Sequence, residues 1–255
     1  MTTQGRVDIV GLGPGPAEWM TFEAQSIVEF ASDLVGYGAY LDRVPDRPGQ
    51  RKHASDNREE LERARYALNL ALSGCRVAVV SGGDPGVFAM AAAVFEAVEK
   101  GDERWRSLPI ETHPGVSAVL AVAARLGAPL GHDFVVLSLS DNKKPWDIIE
   151  RRIRAGAAGD FVMAFYNPAS KARPKLIVDT FALLRALKPA DTIVVFAHAV
   201  GRQGERVNLT SLERADPSEA DMSTLVLIGS SETRCVSRAG GGCWIYTPRT
   251  YGLSR

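Results

Sequence analysis

The sequence of 255 residues lacks an excess of charge of either sign and any long apolar run. Thirty Lys and Arg residues balance thirty Asp and Glu residues, so a nucleic-acid or membrane-surface partner is not expected. Apolar runs stay far short of the roughly 20 residues that a membrane span needs. The start of the chain, Met1 to Arg6, shows no signal-peptide pattern. We therefore predict a cytoplasmic protein that binds neither nucleic acid nor membranes.

Cysteine is scarce as well. The three cysteines, Cys75, Cys235 and Cys243, include no C-x-x-C pair, and no Cys/His cluster has the spacing of a zinc or iron–sulfur site. We expect incidental or buried free thiols in a reducing compartment. The sequence predicts no bound metal.

The residues that are present describe an ordinary globular chain, with 45% hydrophobic and 24% charged residues. In the first half, the sequence pattern predicts strands alternating with helices, which implies right-handed parallel crossovers. We predict strands over 7–10, 34–35, 76–81 and 110–113, helices over 21–31, 87–99 and 116–126, and a loop over 45–53. A further helix is predicted to start at the capping-box-like Asp56-x-x-Glu59 and to end at Gly74.

The second half continues the alternation and then changes character. We predict strands over 134–139, 161–166 and 192–197, with helices over 146–155 and 171–187. The strand-like runs 205–212 and 224–228 have no long helix between them, which indicates antiparallel pairs in a mixed sheet. The glycine-rich stretch 127–131 is the best boundary. The predicted fold is therefore two α/β domains in series, 1–128 with a mostly parallel sheet and 129–255 with a mixed one.

Three turns rich in glycine or proline directly follow predicted strands: Gly11 to Gly15, Gly82 to Gly86, and Pro114 to Ala118. Ligands of open parallel sheets bind outside the carboxyl ends of the strands, so these turns predict a ligand cleft. NAD is not expected, because Pro16 stands where the dinucleotide motif needs its third glycine and no acidic residue closes the second strand. A Walker A loop is also absent.

The same turns, together with longer strings, resemble the tetrapyrrole methylases, which are class III S-adenosylmethionine-dependent methyltransferases. The general motifs are Gly11-x-Gly13-Pro14-Gly15, Ser81-Gly82-Gly83-Asp84-Pro85 and Pro114-Gly115-Val116-Ser117-Ala118. Strings typical of the branch that methylates corrin rings during cobalamin synthesis are Gly36-Tyr37-x-x-Tyr40, Gly131-His132-Asp133-Phe134, Ser138-Leu139-Ser140-Asp141 and Phe165-Tyr166-Asn167-Pro168. The resemblance runs from Val7 to at least Ile228 and is weakest at the glycine run 240–242.

This resemblance implies a homodimer of two-domain chains, with S-adenosylmethionine in the cleft between the domains and S-adenosylhomocysteine as a product. It assigns cofactor contacts to Pro14, Gly82, Gly83, Asp84, Val87, Ser117, Ala118, Tyr166, Asn167, Ala197 and Thr224. The methyl acceptor would be a tetrapyrrole ring carbon. Its carboxylates and flat ring would contact Gly13, Tyr37, Tyr40, Lys143 and Arg173, with Lys144 a further candidate.

The implied reaction also contracts the ring, which requires proton transfers. Asp84, His132 and Asp141 are the predicted acid–base groups, and His198 is a further candidate. Each has an ordinary alternative. In a turn such as that of Asp84, an aspartate commonly accepts a hydrogen bond from its own backbone, and a lone histidine ahead of a strand is usually a surface residue.

Other functions stay open. Relatives of the same fold methylate ribosomal RNA or a diphthamide precursor on a protein, although the neutral charge balance weighs against RNA. A ligand-sensing module without catalysis is a third hypothesis. Within the corrin branch, the ring could be metal-free or cobalt-loaded. The lack of a cysteine cluster for an iron–sulfur centre favours the metal-free ring.

Overall fold

The computed structural model describes residues 5–56, 59–169 and 175–252. The chain divides into two compact units, Met1–Ala118 and Val119–Arg255. The division falls at the start of helix Ala118–Leu126, ahead of the boundary predicted at residue 128. Each unit contains its own five-stranded sheet within the described residues, which agrees with two α/β bodies in series.

In the first unit, strands and helices follow one another in the predicted order. They are β1 (Arg6–Gly11), α1 (Phe22–Phe30), β2 (Asp33–Tyr37), α2 (Gly38–Leu41), β3 (Arg51–Ser55), α3 (Glu60–Leu72), β4 (Arg76–Ser81), α4 (Met90–Lys100) and β5 (Ile110–His113). The strands lie in the order β3-β2-β4-β1-β5, and every neighbouring pair is parallel. The prediction of a mostly parallel first sheet is confirmed.

Strand β4 shows why this sheet forms. Its residues Val77, Ala78, Val79 and Val80 are all fully buried. Because side chains alternate between the faces of a strand, Val77 and Val79 pack in the core that includes α3 and α4, whereas Ala78 and Val80 pack in the core that includes α1. A continuous apolar run buried on both faces is typical of a parallel strand covered by helices.

Local signals place the helix ends. The Thr21 hydroxyl accepts a hydrogen bond from the Ala24 N–H, 3.1 Å away, so it caps α1. Gly74, with a φ of 91°, follows the end of α3 as predicted. Helix α4 begins later than predicted, because Phe88 has a φ of 54° and the chain is still a loop there.

The second unit contains the remaining elements. They are α5 (Ala118–Leu126), β6 (Gly127–Ala128), β7 (Phe134–Ser138), α6 (Trp146–Ala158), β8 (Val162–Tyr166), α7 (Lys175–Leu187), β9 (Ile193–His198), β10 (Arg206–Ser211), β11 (Thr224–Ile228), β12 (Arg234–Ser237) and β13 (Cys243–Tyr246). Its main sheet has the order β10-β9-β11-β8-β7, with β7 and β8 parallel and the other pairs antiparallel. The predicted mixed sheet is confirmed. The predicted start of α7 at residue 171 lies outside the described residues.

A small third sheet corrects the prediction for the cysteines. Strands β12 and β13 form an antiparallel hairpin around the glycine run 240–242, and β6 pairs with β13. The hairpin brings Cys235 and Cys243 together as a disulfide, so the expectation of free thiols is wrong for these two residues and holds only for Cys75. Spacing rules for metal and redox motifs missed the pair, because a hairpin joins residues eight apart in sequence.

Two further differences concern single segments. The stretch predicted as a loop over 45–53 contains the start of β3, an edge strand paired with β2. Its polar residues reflect that edge position, where one side of the strand has no partner strand. Among the helices of the described residues, none is long and apolar enough to span a membrane.

Candidate active site

All strands of the first sheet run in the same direction, so their carboxyl ends lie at one edge of the sheet. The loops after β1, β4 and β5 carry the predicted residues Gly13, Pro14, Gly82, Gly83, Asp84, Val87 and Ser117, and Ala118 begins the helix that follows β5. Tyr37 is the last residue of β2, and Tyr40 lies in α2, which follows it directly. The structure therefore brings the first-unit candidates to the same edge.

Three of these loops touch through their backbones. Gly13 and Gly83 exchange two backbone hydrogen bonds, with N–O distances of 3.2 and 3.0 Å. A Cβ atom on Gly115 would lie 2.4 Å from the Gly83 carbonyl oxygen and 2.9 Å from the Gly11 Cα. Such distances exclude any side chain, so glycine is required for the loops to meet.

Two charged side chains hold the loops in place. The Asp84 carboxylate accepts the Gly86 N–H at 2.8 Å, which is the turn bond expected for this residue, and the Gly115 N–H at 3.0 Å. Asp84 thereby ties the loop after β4 to the loop after β5. The Arg43 guanidinium donates to the carbonyl oxygens of Leu12 and Gly15, at 2.9 and 2.8 Å. Sequence reasoning missed Arg43, because its carbonyl partners leave no motif.

Tyr37 at the end of β2 and Tyr40 in α2 lie side by side at this edge. Tyr37 and Tyr40 are both half-buried, and their rings meet edge to face with centroids 5.4 Å apart. A Cβ on Gly82 would lie 2.7 Å from the Tyr40 ring, so this glycine lets the ring approach the loop after β4 closely. The predicted substrate residue Tyr40 therefore adjoins the predicted cofactor residue Gly82, and Tyr37 lies beside Tyr40.

The second sheet also gathers candidates at one edge. Strands β7, β8 and β9 run the same way, since β7 pairs in parallel with β8, and both β8 and β9 are antiparallel to β11. Their carboxyl ends, at Ser138, Tyr166 and His198, lie at the edge where β11 begins with Thr224. Ala197, one residue before His198, is 2% exposed.

Hydrogen bonds fix the side chains after β8. The Tyr166 hydroxyl accepts the Val119 N–H in the first turn of α5 at 2.8 Å. The Asn167 amide donates to the Ser138 hydroxyl at 3.0 Å. Asn167 and Ala199, which follow β8 and β9, have φ values of 52° and 49°. Left-handed backbone at residues other than glycine costs roughly 1–2 kcal/mol and concentrates at functional sites.

His198 belongs to a small polar cluster. Its Nδ1 lies 3.2 Å from an Asp221 carboxylate oxygen, and the Thr224 hydroxyl donates to the same oxygen at 2.7 Å. Burial raises the pKa of Asp221. The hydrogen bonds from Thr224 and Ser223, together with the nearby His198, outweigh this effect and lower the pKa below its ordinary value. Asp221 is therefore a carboxylate at neutral pH.

The remaining candidates are not all at this edge. Asp141 and Lys143 follow β7, at the carboxyl-end edge. His132 precedes β7 and so lies at the opposite edge, where its Nδ1 accepts the Asp133 N–H at 2.8 Å. The structure does not bring His132 together with Tyr166, Asn167 or Thr224. Arg173 lies outside the described residues.

A second polar cluster in the first unit contains possible metal ligands, Asp8, Glu111 and His113. The two ring nitrogens of His113 each lie 2.9 Å from a carboxylate oxygen, one of Asp8 and one of Glu23. Arg6 pairs with both Asp8 and Glu111. The groups of this cluster therefore satisfy one another and hold β1, β5 and α1 together.

Comparison with known proteins identifies the family. The chain matches the sequence profile of the tetrapyrrole (corrin/porphyrin) methylases over residues 6–216. This match covers most of the 255 residues, and the chain belongs to that family.

Individual relatives show which methylases of the family this chain resembles in sequence. A precorrin-3B C(17)-methyltransferase from a Sinorhizobium species is 54% identical over 247 residues, which are 97% of each chain. The cobalamin biosynthesis protein CobIJ of Mycobacterium tuberculosis strain H37Rv is 46% identical, and the chain spans 48% of its length. A probable cobalt-factor III C(17)-methyltransferase of Salmonella typhimurium is 39% identical over 97% of this chain and 100% of the relative.

Solved structures confirm the predicted fold. The crystal structure of the methyltransferase CobJ matches with a TM-score of 0.92 and 46% identity, covering 96% of this chain and 100% of that one. The uroporphyrin-III C-methyltransferase of Thermus thermophilus, complexed with S-adenosylhomocysteine, shares the fold with a TM-score of 0.66. At 23% identity over 88% of this chain and 97% of that one, this second likeness concerns the fold alone.

Proposed function

We propose that this chain transfers the methyl group of S-adenosylmethionine to C-17 of precorrin-3B, and that the ring then contracts to give precorrin-4. The chain is a methyltransferase of the tetrapyrrole methylase family. The observation that carries the proposed substrate is the 54% identity to a precorrin-3B C(17)-methyltransferase over 97% of both chains.

The first unit provides a surface suited to the cofactor. Its loops offer backbone N–H and C=O groups, which suit an amino acid–nucleoside ligand that has no phosphates. The neighbours nearest to a Cβ on Gly83 would be 3.9 Å away, so the loop leaves room there. We assign cofactor contacts in this unit to Pro14, Gly82, Gly83, Asp84, Val87, Ser117 and Ala118. In the second unit, we assign them to Tyr166, Asn167, Ala197 and Thr224.

In the proposed reaction, the main task of the protein is to align the methyl donor with the acceptor carbon. The bound cofactor supplies a methyl group on a sulfonium, which is already a good leaving group. Alignment of donor and acceptor can contribute several orders of magnitude to the rate. The bonds of Asp84 to Gly86 and Gly115, and of Arg43 to Leu12 and Gly15, keep the loops ordered before a ligand binds.

Basic residues after β7 suit the carboxylates of the macrocycle. Burial lowers the pKa of Lys144, and the charge of Arg152 lowers it further. A substrate carboxylate placed beside Lys144 would relieve this repulsion. We assign substrate carboxylates to Lys143, Lys144 and Arg173, and the ring faces to Gly13, Tyr37 and Tyr40.

A cobalt-loaded ring is the second candidate substrate. It is favoured by the 39% identity to a probable cobalt-factor III C(17)-methyltransferase whose match, like that of the precorrin-3B relative, covers 97% of this chain. The higher identity to the precorrin-3B relative favours the metal-free ring. We find no observation that favours RNA or protein as the acceptor.

Two measurements test the proposal. S-adenosylhomocysteine at 100 times its dissociation constant should stabilise the fold by about 2.7 kcal/mol in thermal unfolding. The purified protein should add one methyl group to precorrin-3B, with precorrin-4 as the main product by mass spectrometry. If the protein turned over cobalt-factor III and not precorrin-3B, cobalt-factor III would replace precorrin-3B as the proposed substrate. If S-adenosylhomocysteine did not shift the thermal unfolding temperature, that result would argue against the proposed cofactor.

We also propose that the chain forms a homodimer, as the family resemblance implies, and that it is cytoplasmic, as predicted from the sequence. Light scattering should then give twice the chain mass of 27.5 kDa. A mass of one chain at micromolar concentration would contradict this part of the proposal.

A further inference from the structure

His198 stands at the carboxyl end of β9, beside two residues assigned to the cofactor. Ala197 precedes it in the strand, and Thr224 is its register partner on β11. Its side chain is 21% exposed, so the ring is held by the protein and still reaches solvent. A ligand held by the assigned contacts Ala197 and Thr224 would therefore lie close to this ring.

The neighbours of His198 set its hydrogen-bond pattern. The Asp221 carboxylate lies 3.2 Å from Nδ1, and a carboxylate can only accept, so Nδ1 carries the proton. In the neutral ring, the lone pair is then on Nε2. An acidic group that orients a histidine and stabilises its protonated form is a recurring arrangement in acid–base catalysis.

The backbone keeps this ring in place. Ala199 has a φ of 49°, and its N–H donates to the Ser223 carbonyl oxygen at 2.9 Å. The turn after β9 is thereby bound to the segment that carries Asp221. A left-handed alanine has an energetic cost that the surrounding bonds must offset.

Other charged groups near His198 are few in the described part of the chain. Arg206 on β10 is its register partner on the other side. Glu205 is engaged with Arg125 and with the Gly201 N–H. Asp221 is therefore the carboxylate that contacts the ring.

We propose that His198 is a catalytic residue that accepts the proton released after methyl transfer, an inference that rests on the proposed function. The methyl carbon leaves sulfur, and the C–S electron pair stays on sulfur. A π electron pair of the macrocycle forms the new C–C bond, which leaves the ring with one more positive charge. A bond between hydrogen and an atom of the macrocycle then breaks. Its proton goes to Nε2 and its electron pair stays on the macrocycle, which removes the added charge. The Asp221 carboxylate stabilises the resulting imidazolium.

Two other acid–base candidates, Asp84 and His132, are less suited to this step. Both Asp84 oxygens accept backbone N–H groups, so protonation of Asp84 would weaken its hydrogen bond to Gly86 or to Gly115. His132 lies at the opposite edge of the second sheet. Of Asp84, His132 and His198, only His198 combines a ring nitrogen that has no hydrogen-bond partner among the described residues with a place next to assigned cofactor contacts.

The test compares His198→Ala with the wild type and with His53→Gln, a histidine variant on the edge strand β3. We expect kcat of His198→Ala to fall roughly 10²-fold or more, with the dissociation constant of S-adenosylhomocysteine changed less than about threefold. The fall of kcat at acidic pH, where a base is protonated, should disappear in His198→Ala and persist in His53→Gln. Added imidazole should restore part of the turnover.

Each outcome decides the inference. A wild-type kcat and pH profile in His198→Ala would overturn it, and so would a lowered kcat that keeps its acidic limb and ignores imidazole. Asp221→Asn should move the acidic limb, and an unmoved limb would overturn the role of Asp221. Failure of the proposed function is distinguishable, because wild type and His53→Gln would then both lack turnover of precorrin-3B.

Discussion

At the carboxyl ends of its strands, the first unit presents mainly backbone, whereas the second presents side chains. In the first, Gly11 and Gly115 lie so close to each other and to the Gly83 carbonyl oxygen that neither has room for a Cβ. In the second, Tyr166, Asn167 and His198 are held by hydrogen bonds to Val119, Ser138 and Asp221. A substitution at the edge of the first unit therefore fills space that the loops need. A substitution at the edge of the second unit instead removes a functional group.

This difference separates two tasks of a methyltransferase. Backbone groups fix shape and do not titrate, so they suit those proposed cofactor contacts that only align the ligand. Side chains can exchange protons and bind carboxylates, so they suit the part of the reaction that changes charge. Substitutions at the two edges should accordingly separate binding from turnover.

The largest effect is expected where the loops of the first unit meet. In Gly115→Ala, the new Cβ would overlap the Gly83 carbonyl, so the loops must move apart. We expect the free energy of unfolding to fall by about 1–3 kcal/mol and affinity for S-adenosylhomocysteine to drop more than tenfold. Gly38→Ala is the matched control, because a Cβ there meets nothing within 4 Å. Urea unfolding and calorimetric titration measure both, and equal behaviour of the two variants would remove the distinction between the edges.

Asp84→Asn asks whether a carboxylate at the backbone edge binds or reacts. The amide cannot accept both the Gly86 and the Gly115 N–H groups, so one bond of the tie is lost. We expect turnover to fall roughly 10²-fold, the scale of losing an acid–base group. A parallel loss of affinity for S-adenosylhomocysteine would assign the effect to loop positioning, and unchanged affinity would assign it to proton transfer. Wild-type turnover would exclude both roles.

Asp33 begins β2 and so lies at the edge of the first sheet opposite to the candidate site. There we expect a substitution to change the stability of the fold at acidic pH. Burial raises the pKa of this carboxyl, but hydrogen bonds from Arg51, His53 and Ser32 outweigh burial and hold the pKa well below its ordinary value of 3.8. A depressed pKa stabilises the fold above the pKa of the unfolded chain, and this contribution is lost as the pH falls below about 4.

In Asp33→Asn, we therefore expect a loss of about 2 kcal/mol at pH 7 and a shallower decline of stability between about pH 4 and pH 2. Urea unfolding at a series of pH values measures both quantities. Parallel curves for wild type and variant would show that the Asp33 carboxylate does not govern acid stability.

The smallest change in stability and in ligand affinity is expected for Tyr166→Phe, at the side-chain edge of the second unit. In Tyr166→Phe, the Val119 N–H loses its acceptor, which should lower the free energy of unfolding by about 1 kcal/mol. Affinity for S-adenosylhomocysteine should change less than at Gly115, since no loop is displaced. A larger loss of affinity in Tyr166→Phe than in Gly115→Ala would reverse the comparison.

The sequence predicted the backbone edge better than the side-chain edge, and the reason is physical. Glycines that permit a close approach must stand at fixed places next to strands, so Gly11, Gly83 and Gly115 leave a readable pattern. Asp221 reaches His198 only because β9 and β11 pair, and Arg43 acts through carbonyl groups that any residue could supply. The Cys235–Cys243 pair depended on a hairpin that the glycine run did not reveal on its own.

The crowded glycines also bear on how such an enzyme could change its substrate over time. A position without room for a Cβ tolerates almost no substitution, because a side chain at Gly11 or Gly115 would displace the loops whatever the ligand. New specificities must then arise at positions that tolerate side chains, such as Tyr37, Tyr40 and the loop that carries Lys143. A saturation library should accordingly recover active clones at those positions and almost none at Gly11 or Gly115.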